Sequence, residues 1–107
     1  MERNNVSESV LLILLSLAPE PRHGYAILKD VEEMSQGRVK LSTGTLYGAL
    51  RRMLEDTWIV RFNEANATRD RQAYKLSGKG HQVLSAEVSR MKQLTRVATT
   101  RLAGREV

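Results

Sequence analysis

The stretch STGTLYGALRRM, Ser42 to Met53, decides how the rest of the chain reads. Taken as a helix, it sets Leu46, Leu50 and Met53 at i, i+4 and i+7, an apolar stripe that needs a core. The opposite side carries Thr43, Tyr47 and Arg51 at four-residue steps, with Ser42, Thr45, Gly48 and Arg52 beside them. Hydroxyls and a helix N-terminus bind phosphate, and Arg contacts phosphate or the O6/N7 edge of guanine. An ordinary amphipathic helix with a solvated outer face explains this stretch equally well, so its neighbours have to decide.

Working back toward the N-terminus, HGYAILKDVEEM, His23 to Met34, places Ile27, Leu28, Val31 and Met34 on one stripe and predicts a second amphipathic helix. Gly37 follows it where a left-handed residue ends a helix, and Ser42 is the predicted N-cap of the next, without the Glu or Gln of a full capping box. Helix, short turn, helix is the unit that sets its second helix in the major groove. Earlier still, Ser7 caps a helix, with Val6 and Leu11 at the positions of a hydrophobic staple. The run Val10 to Leu15 is apolar nearly all round and needs several neighbours, and Pro19 and Pro21 end the helix near Ala18. Residues Met1 to Asn5 carry no pattern and read as frayed.

Beyond Met53 the period changes. In WIVRFN, Trp58, Val60 and Phe62 alternate with Ile59, Arg61 and Asn63, the two-residue repeat of a half-buried strand. Glu64 to Arg71 reads as a polar loop, and Gln72 to Leu76 as a second strand with Tyr74 and Leu76 inward, Ala73 and Lys75 outward. The expected result is a β-hairpin in which Arg69, Arg71 and Lys75 reach phosphates or the minor groove; a solvated loop is the competing reading. Ser77 to Gly80 forms a connector, with Ser77 as N-cap. From His81 to about Gly104, Leu84, Val88, Met91, Leu94, Ala98 and Leu102 recur at threes and fours and predict a helix of roughly 36 Å. A module of this size cannot cover that length, so the distal half is expected to meet a second copy of the chain.

Composition narrows the classes. The 107 residues, 41% hydrophobic and 27% charged, suit one domain with a modest core. A net charge of +5 and a pI near 10.0 favour a polyanionic partner. With no cysteine there is no disulfide framework, thiolate metal site or thiol nucleophile. The longest apolar run is too short for a bilayer and lacks a signal-peptide cleavage pattern, which predicts a soluble, cytoplasmic chain without a membrane partner, nucleoid-associated if the polyanion is DNA. No nucleophile elbow, P-loop or dinucleotide glycine pattern is present, so no enzyme is expected. Glu32-Glu33 and Glu55-Asp56 read as solvated pairs. His23 reads as packing or capping and His81 as the start of a solvated helix; their separation fits no metal spacing. No cofactor or metal is expected.

The order helix, helix, helix, two-stranded wing, long helix matches a winged helix-turn-helix. HGYAILKDV at His23 to Val31, LSTGTLYGALRRM at Leu41 to Met53 and YKLSGKG at Tyr74 to Gly80 resemble the PadR family of bacterial transcriptional regulators, over about residues 10 to 84. The resemblance implies a mainly α fold with a small β-hairpin: a winged helix-turn-helix over 1–77 and a C-terminal dimerisation helix over 78–107, in one compact unit. It further implies a homodimeric repressor of the short branch, its recognition helix in the major groove of a near-palindromic operator and its wing near the minor groove. Three positions depart from the pattern. Gly48 stands where proline is common, Thr57 where glycine is usual, so that the turn there is not expected to use positive φ easily, and Leu76-Ser77 where a threonine precedes the connector.

The candidate DNA contacts are therefore Ser42, Thr43, Thr45, Tyr47, Arg51 and Arg52 on the recognition helix, Tyr25 and Lys29 on the helix before it, and Arg69, Arg71 and Lys75 on the wing; Tyr25 reads equally as core. Leu84, Val88, Met91, Leu94, Ala98 and Leu102 are the candidate dimer contacts. Two further readings stay open. One is a small apolar effector near Leu84, Val88 and Met91, between the final helices and the N-terminal helix at the dimer interface, shifting the separation of the recognition helices and so releasing DNA. The other is a winged-helix module that docks a protein partner, its basic face incidental.

Overall fold

Seven elements follow from capping, periodicity and pairing in a computed structural model that describes residues 6–62 and 72–104. Helix α1 spans Glu8–Leu17, β1 Arg22–His23, α2 Gly24–Met34, α3 Thr43–Glu55, β2 Ile59–Arg61, β3 Ala73–Leu76 and α4 Gly78–Gly104. The fold is mainly helical with one small antiparallel sheet. The Met1 to Asn5 and Glu64 to Arg71 readings, Arg69 and Arg71 included, lie outside the described residues.

Helix α1 begins as its sequence dictates. Ser7 Oγ accepts the Val10 amide at 3.2 Å, and the helix closes at Ala18 before Pro19. Its apolar girth is enclosed by α2, α4 and β3, which buries Ile13, Leu14 and Leu17 at the centre of the core. Ile27 and Val31 from α2, Leu46, Leu50 and Met53 from α3, and Leu84 from α4 complete that core. Each such side chain withdrawn from water contributes about 2 kcal/mol. Arg22 ties α1 to α2: its Nε donates to the Ser16 carbonyl at 2.7 Å and lies 3.7 Å from an Asp30 carboxylate oxygen.

Both helices of the helix-turn-helix end in a Schellman motif. At α2 the Gln36 amide bonds the Glu33 carbonyl at 3.0 Å and the Gly37 amide bonds Glu32 at 2.8 Å. The capping left-handed residue is thus Gln36, at φ +55°, one residue earlier than the Gly37 that the sequence points to, and Gly37 follows it at φ +81°. At α3 the Thr57 amide bonds Leu54 at 3.0 Å and the Trp58 amide bonds Met53 at 2.9 Å. Thr57 takes φ +61° there, so the turn uses positive φ despite its β-branched side chain.

The sheet corrects the hairpin reading in two respects. It has three strands in the order β1-β3-β2, because the two residues before α2 pair with β3: Arg22 opposite Tyr74 and His23 opposite Ala73. Ala73, expected outward, is buried because β3 is the central strand. In β2 the buried side of the alternation is the one that carries Ile59, not the one that carries Val60 and Phe62. Ile59 faces the core at 1% exposure, while Val60 and Phe62 stand 39% and 51% exposed. Cross-strand partners share a face, and the register sets Ile59 opposite buried Leu76 and Val60 opposite exposed Lys75. Because the Schellman turn takes up Trp58, the inward series starts at Ile59. Tyr74 and Leu76 do face inward.

Helix α4 starts three residues before the sequence reading. Ser77 is its N-cap, as expected, but Gly78, Lys79 and Gly80 form its first turn rather than a connector. Its 27 residues extend about 40 Å. Only Gly80, Leu84 and Glu87 are buried, and the distal half stands off the core along the 63 Å long axis of the molecule. No helix among the described residues is long and apolar enough to cross a membrane.

Candidate nucleic-acid interface

The face of α3 away from the core is set by which residues the core consumes. Leu46, Leu50 and Met53 are buried, with Ala49 and Leu54 at the margins, which leaves Thr43, Gly44, Thr45, Gly48, Arg51, Arg52 and Glu55 to solvent. Ser42 holds the N-terminus. Its Oγ accepts the Thr45 amide at 3.1 Å and donates to Thr45 Oγ1 at 2.9 Å, so both hydroxyls belong to the cap and the Thr45 hydroxyl keeps its proton for an outside acceptor. Thr43 is exposed beside them. Arg51 and Arg52 extend outward and, among the described residues, neither is within ion-pair distance of a carboxylate.

Tyr47 lies differently from the reading of a fully polar face. It is half-buried, and its ring covers Gly24 at the start of α2: a β-carbon on Gly24 would sit 2.4 Å from the Tyr47 hydroxyl oxygen. Tyr47 therefore packs the α2–α3 contact as well as edging the exposed arc. The glycine of HGY is what lets the two helices approach, a role that sequence reading missed although HGY was the motif it singled out. Tyr25, by contrast, is not core. It is 70% exposed, and Lys29 one turn on sets its Nζ 5.7 Å from the ring centroid, a solvent-facing pair on α2.

On the hairpin, Lys75 shares the outer face with Val60 and Phe62, its Nζ 4.9 Å from the Phe62 ring centroid. Arg61 is tied down by an Nε bond to Gln72 Oε1 at 3.0 Å. On the other flank of α3 runs a groove of about 1050 Å³ between that helix and the starts of α1 and α4. Arg51, Arg52 and Lys79 border it with Ser9, and Glu55 and Asp56 temper its charge. Lys79, read from sequence as part of a connector, joins the α3 cations only because the sheet folds the start of α4 back against Trp58.

Two ion pairs brace this arrangement. Arg38, in the turn between α2 and α3, hydrogen-bonds Glu8 at the start of α1, which holds the Glu8 carboxyl below its ordinary value. On α4, Arg90 hydrogen-bonds Glu87, whose carboxyl is lowered by that bond against the opposing effect of burial. The expected dimer residues separate into two groups. Leu84 is buried in the chain's own core and Val88 packs against its edge. Met91 is half-buried, while Leu94, Ala98 and Leu102 stand exposed along the helix. Val88 and Met91 border a shallow groove of about 450 Å³.

A capped recognition helix behind a helix-turn, flanked by a three-stranded wing and carried on a long terminal helix, defines a winged helix-turn-helix of the transcription-regulator class. Residues 12–86 match the model of the PadR-like family of transcriptional regulators, and the chain belongs to that family. Among solved structures it is similar to a PadR family transcription regulator from Clostridium difficile, with a TM-score of 0.73 at 23% identity, covering 90% of this chain and 99% of that one. It is also similar to Bacillus subtilis PadR in complex with operator DNA, with a TM-score of 0.62 at 19% identity, covering 73% of this chain and 45% of that one. A 37.1 kDa protein in a transposon of Streptomyces fradiae is 36% identical over 89 residues. That match takes in 83% of this chain, which spans about a quarter, 24%, of the relative's length.

Proposed function

We propose that the chain is a homodimeric, sequence-specific repressor that binds a near-palindromic double-stranded operator. The observation that carries this reading is the exposed arc of α3: Arg51 and Arg52 without carboxylate partners among the described residues, on a capped helix of a PadR-like fold. In this reading Ser42, Thr43, Thr45 and the edge of Tyr47 enter the major groove, and Arg51 and Arg52 hold its phosphates. Tyr25 and Lys29 meet the backbone on one side. Lys75 meets it on the other, together with the wing residues Arg69 and Arg71. Residues 1–77 bind DNA, and α4 pairs with its copy through Val88, Met91, Leu94, Ala98 and Leu102, where an apolar effector would change the spacing of the two halves. The related regulator solved on operator DNA supports the partner class.

Genome-wide capture of DNA with the purified protein tests the reading. Enriched fragments should share half-sites about one helical turn apart, and affinity should fall steeply with salt. Absence of any preference over bulk DNA at near-physiological salt would end the specific-repressor reading. Arg51→Ala should weaken operator binding by roughly tenfold with an unchanged melting temperature, the scale of one charged contact. The exposed Val60 and Phe62 favour a second reading, a module that docks a protein on its wing. Equal affinity for heparin and operator, with one stoichiometric protein partner, would select it.

A further inference from the structure

Thr57, in the turn that ends α3, and Ser77, the N-cap of α4, are 20 residues apart in sequence, yet both the amide and the hydroxyl of Ser77 bond to that turn. Leaving its Schellman turn, α3 directs the carbonyls of Thr57 and Trp58 toward the start of α4. The Ser77 amide donates to the Trp58 carbonyl at 3.0 Å. The Ser77 hydroxyl donates to the Thr57 carbonyl at 2.5 Å and accepts the Gly80 amide at 3.0 Å. Its proton and a lone pair are thus both used, one on the turn that ends α3 and one on the first turn of α4. Gly80 completes the seat, since a β-carbon there would lie 2.0 Å from the Trp58 carbonyl oxygen. Farther along, α4 is steadied by Leu84 and Glu87 and then runs free of the core.

We propose that Ser77 is a positioning residue: its hydroxyl fixes the direction of α4 relative to α3 and thereby the separation of the two recognition helices in a dimer, so that it sets the half-site spacing the protein accepts. The inference rests on the dimeric DNA-binding reading above. Its force is one of leverage. A tilt of about 10° at the joint moves Leu102, roughly 38 Å from Ser77 along the helix, by about 6.5 Å, and the DNA base-pair step is only about 3.4 Å. An N-cap needs only an acceptor, so most capping residues would start α4 equally well. Only a hydroxyl of this reach both caps α4 and donates to α3.

The variants separate those two roles. Ser77→Asp keeps a capping acceptor and loses the proton for Thr57; Ser77→Gly is tolerated at an N-cap and also loses it; Ser77→Thr keeps both. The chain has no cysteine, so spin labels at Gly48→Cys and Gln93→Cys, diluted into unlabelled protein, read the α3–α4 distance within one chain by pulsed electron resonance. A narrow distribution is expected for Ser77 and Ser77→Thr, and one broadened by roughly 4 Å, the displacement that a tilt of about 10° gives at Gln93 about 24 Å from Ser77, for Ser77→Asp and Ser77→Gly. On unlabelled protein, captured operators with one base pair added or removed between half-sites should be rejected roughly tenfold by wild type and Ser77→Thr, and less than about threefold by the other two. Unchanged distributions in both Ser77→Asp and Ser77→Gly, at wild-type helicity, would overturn the proposal. Broadened distributions with spacing selectivity retained would overturn its link to DNA. Wild type that binds no operator, with distributions broadened in the variants, would instead locate the failure in the DNA-binding reading and uphold the joint.

Discussion

Thr57 carries the strain of the α3 terminus. A β-branched residue at φ +61° brings its β-carbon against the following carbonyl, and it is held there by the two Schellman bonds and by the bond from Ser77 to its own carbonyl. Thr57→Gly should relieve that strain and stabilise the fold by about 1 kcal/mol, read as a higher urea midpoint at constant slope. A lower midpoint would mean that the threonine side chain contributes more than its backbone costs. Thr57, Gly24 and Gly80 teach the same lesson. Each was visible as a residue type in a motif, but what each one meets, a serine hydroxyl, a tyrosine ring or a carbonyl from a distant segment, is a property of the folded chain.

Elements were legible wherever one-dimensional chemistry settles them. Ser7, Ser42 and Ser77 all cap the helices that follow, because a cap depends on an oxygen and an amide three residues away. Strand parity was not legible, because β2 takes its register from the turn before it and the partner beside it. The strand β1 was missed since two residues carry no period. On α4, the buried Glu87 and its partner Arg90 make a pH-dependent contribution. Its folded-state pKa lies below the ordinary glutamate value of 4.5, so the stabilisation is complete above that value and is lost as pH falls through the depressed one. The stability difference between wild type and Glu87→Gln should therefore be present at pH 7 and shrink on acidification below about 4.5. Denaturant titrations at pH 7, 5 and 3.5 check it, and a difference independent of pH would refute the ion-pair account.

At the scale of the whole molecule, α4 divides at about Met91. Leu84 and Glu87 are its last buried residues, whereas Leu94 and Leu102 stand 51% and 64% exposed. On the homodimer proposed above, a chain ending at Arg90 should keep its core and melt cooperatively, yet sediment as a monomer where the full chain should sediment as a dimer. A truncated chain that stays dimeric would move the dimer contact off the distal helix. The expected dimer set accordingly loses Leu84 to the core, since a stripe at helical spacing does not say how far along it the chain's own core extends.

By itself, the sequence determined the helices, their serine N-caps, the basic character of the chain and the family, because those depend on neighbours three or four residues apart or on motifs read in line. Tertiary structure alone decided which residues of α3 remain outside, that Tyr47 packs on Gly24, that Ile59 rather than Val60 faces the core, and that Ser77 joins α3 to α4. The reason is physical. A side chain's face, partner and exposure depend on what packs against it, and for these residues the packing partner comes from a different segment of the chain.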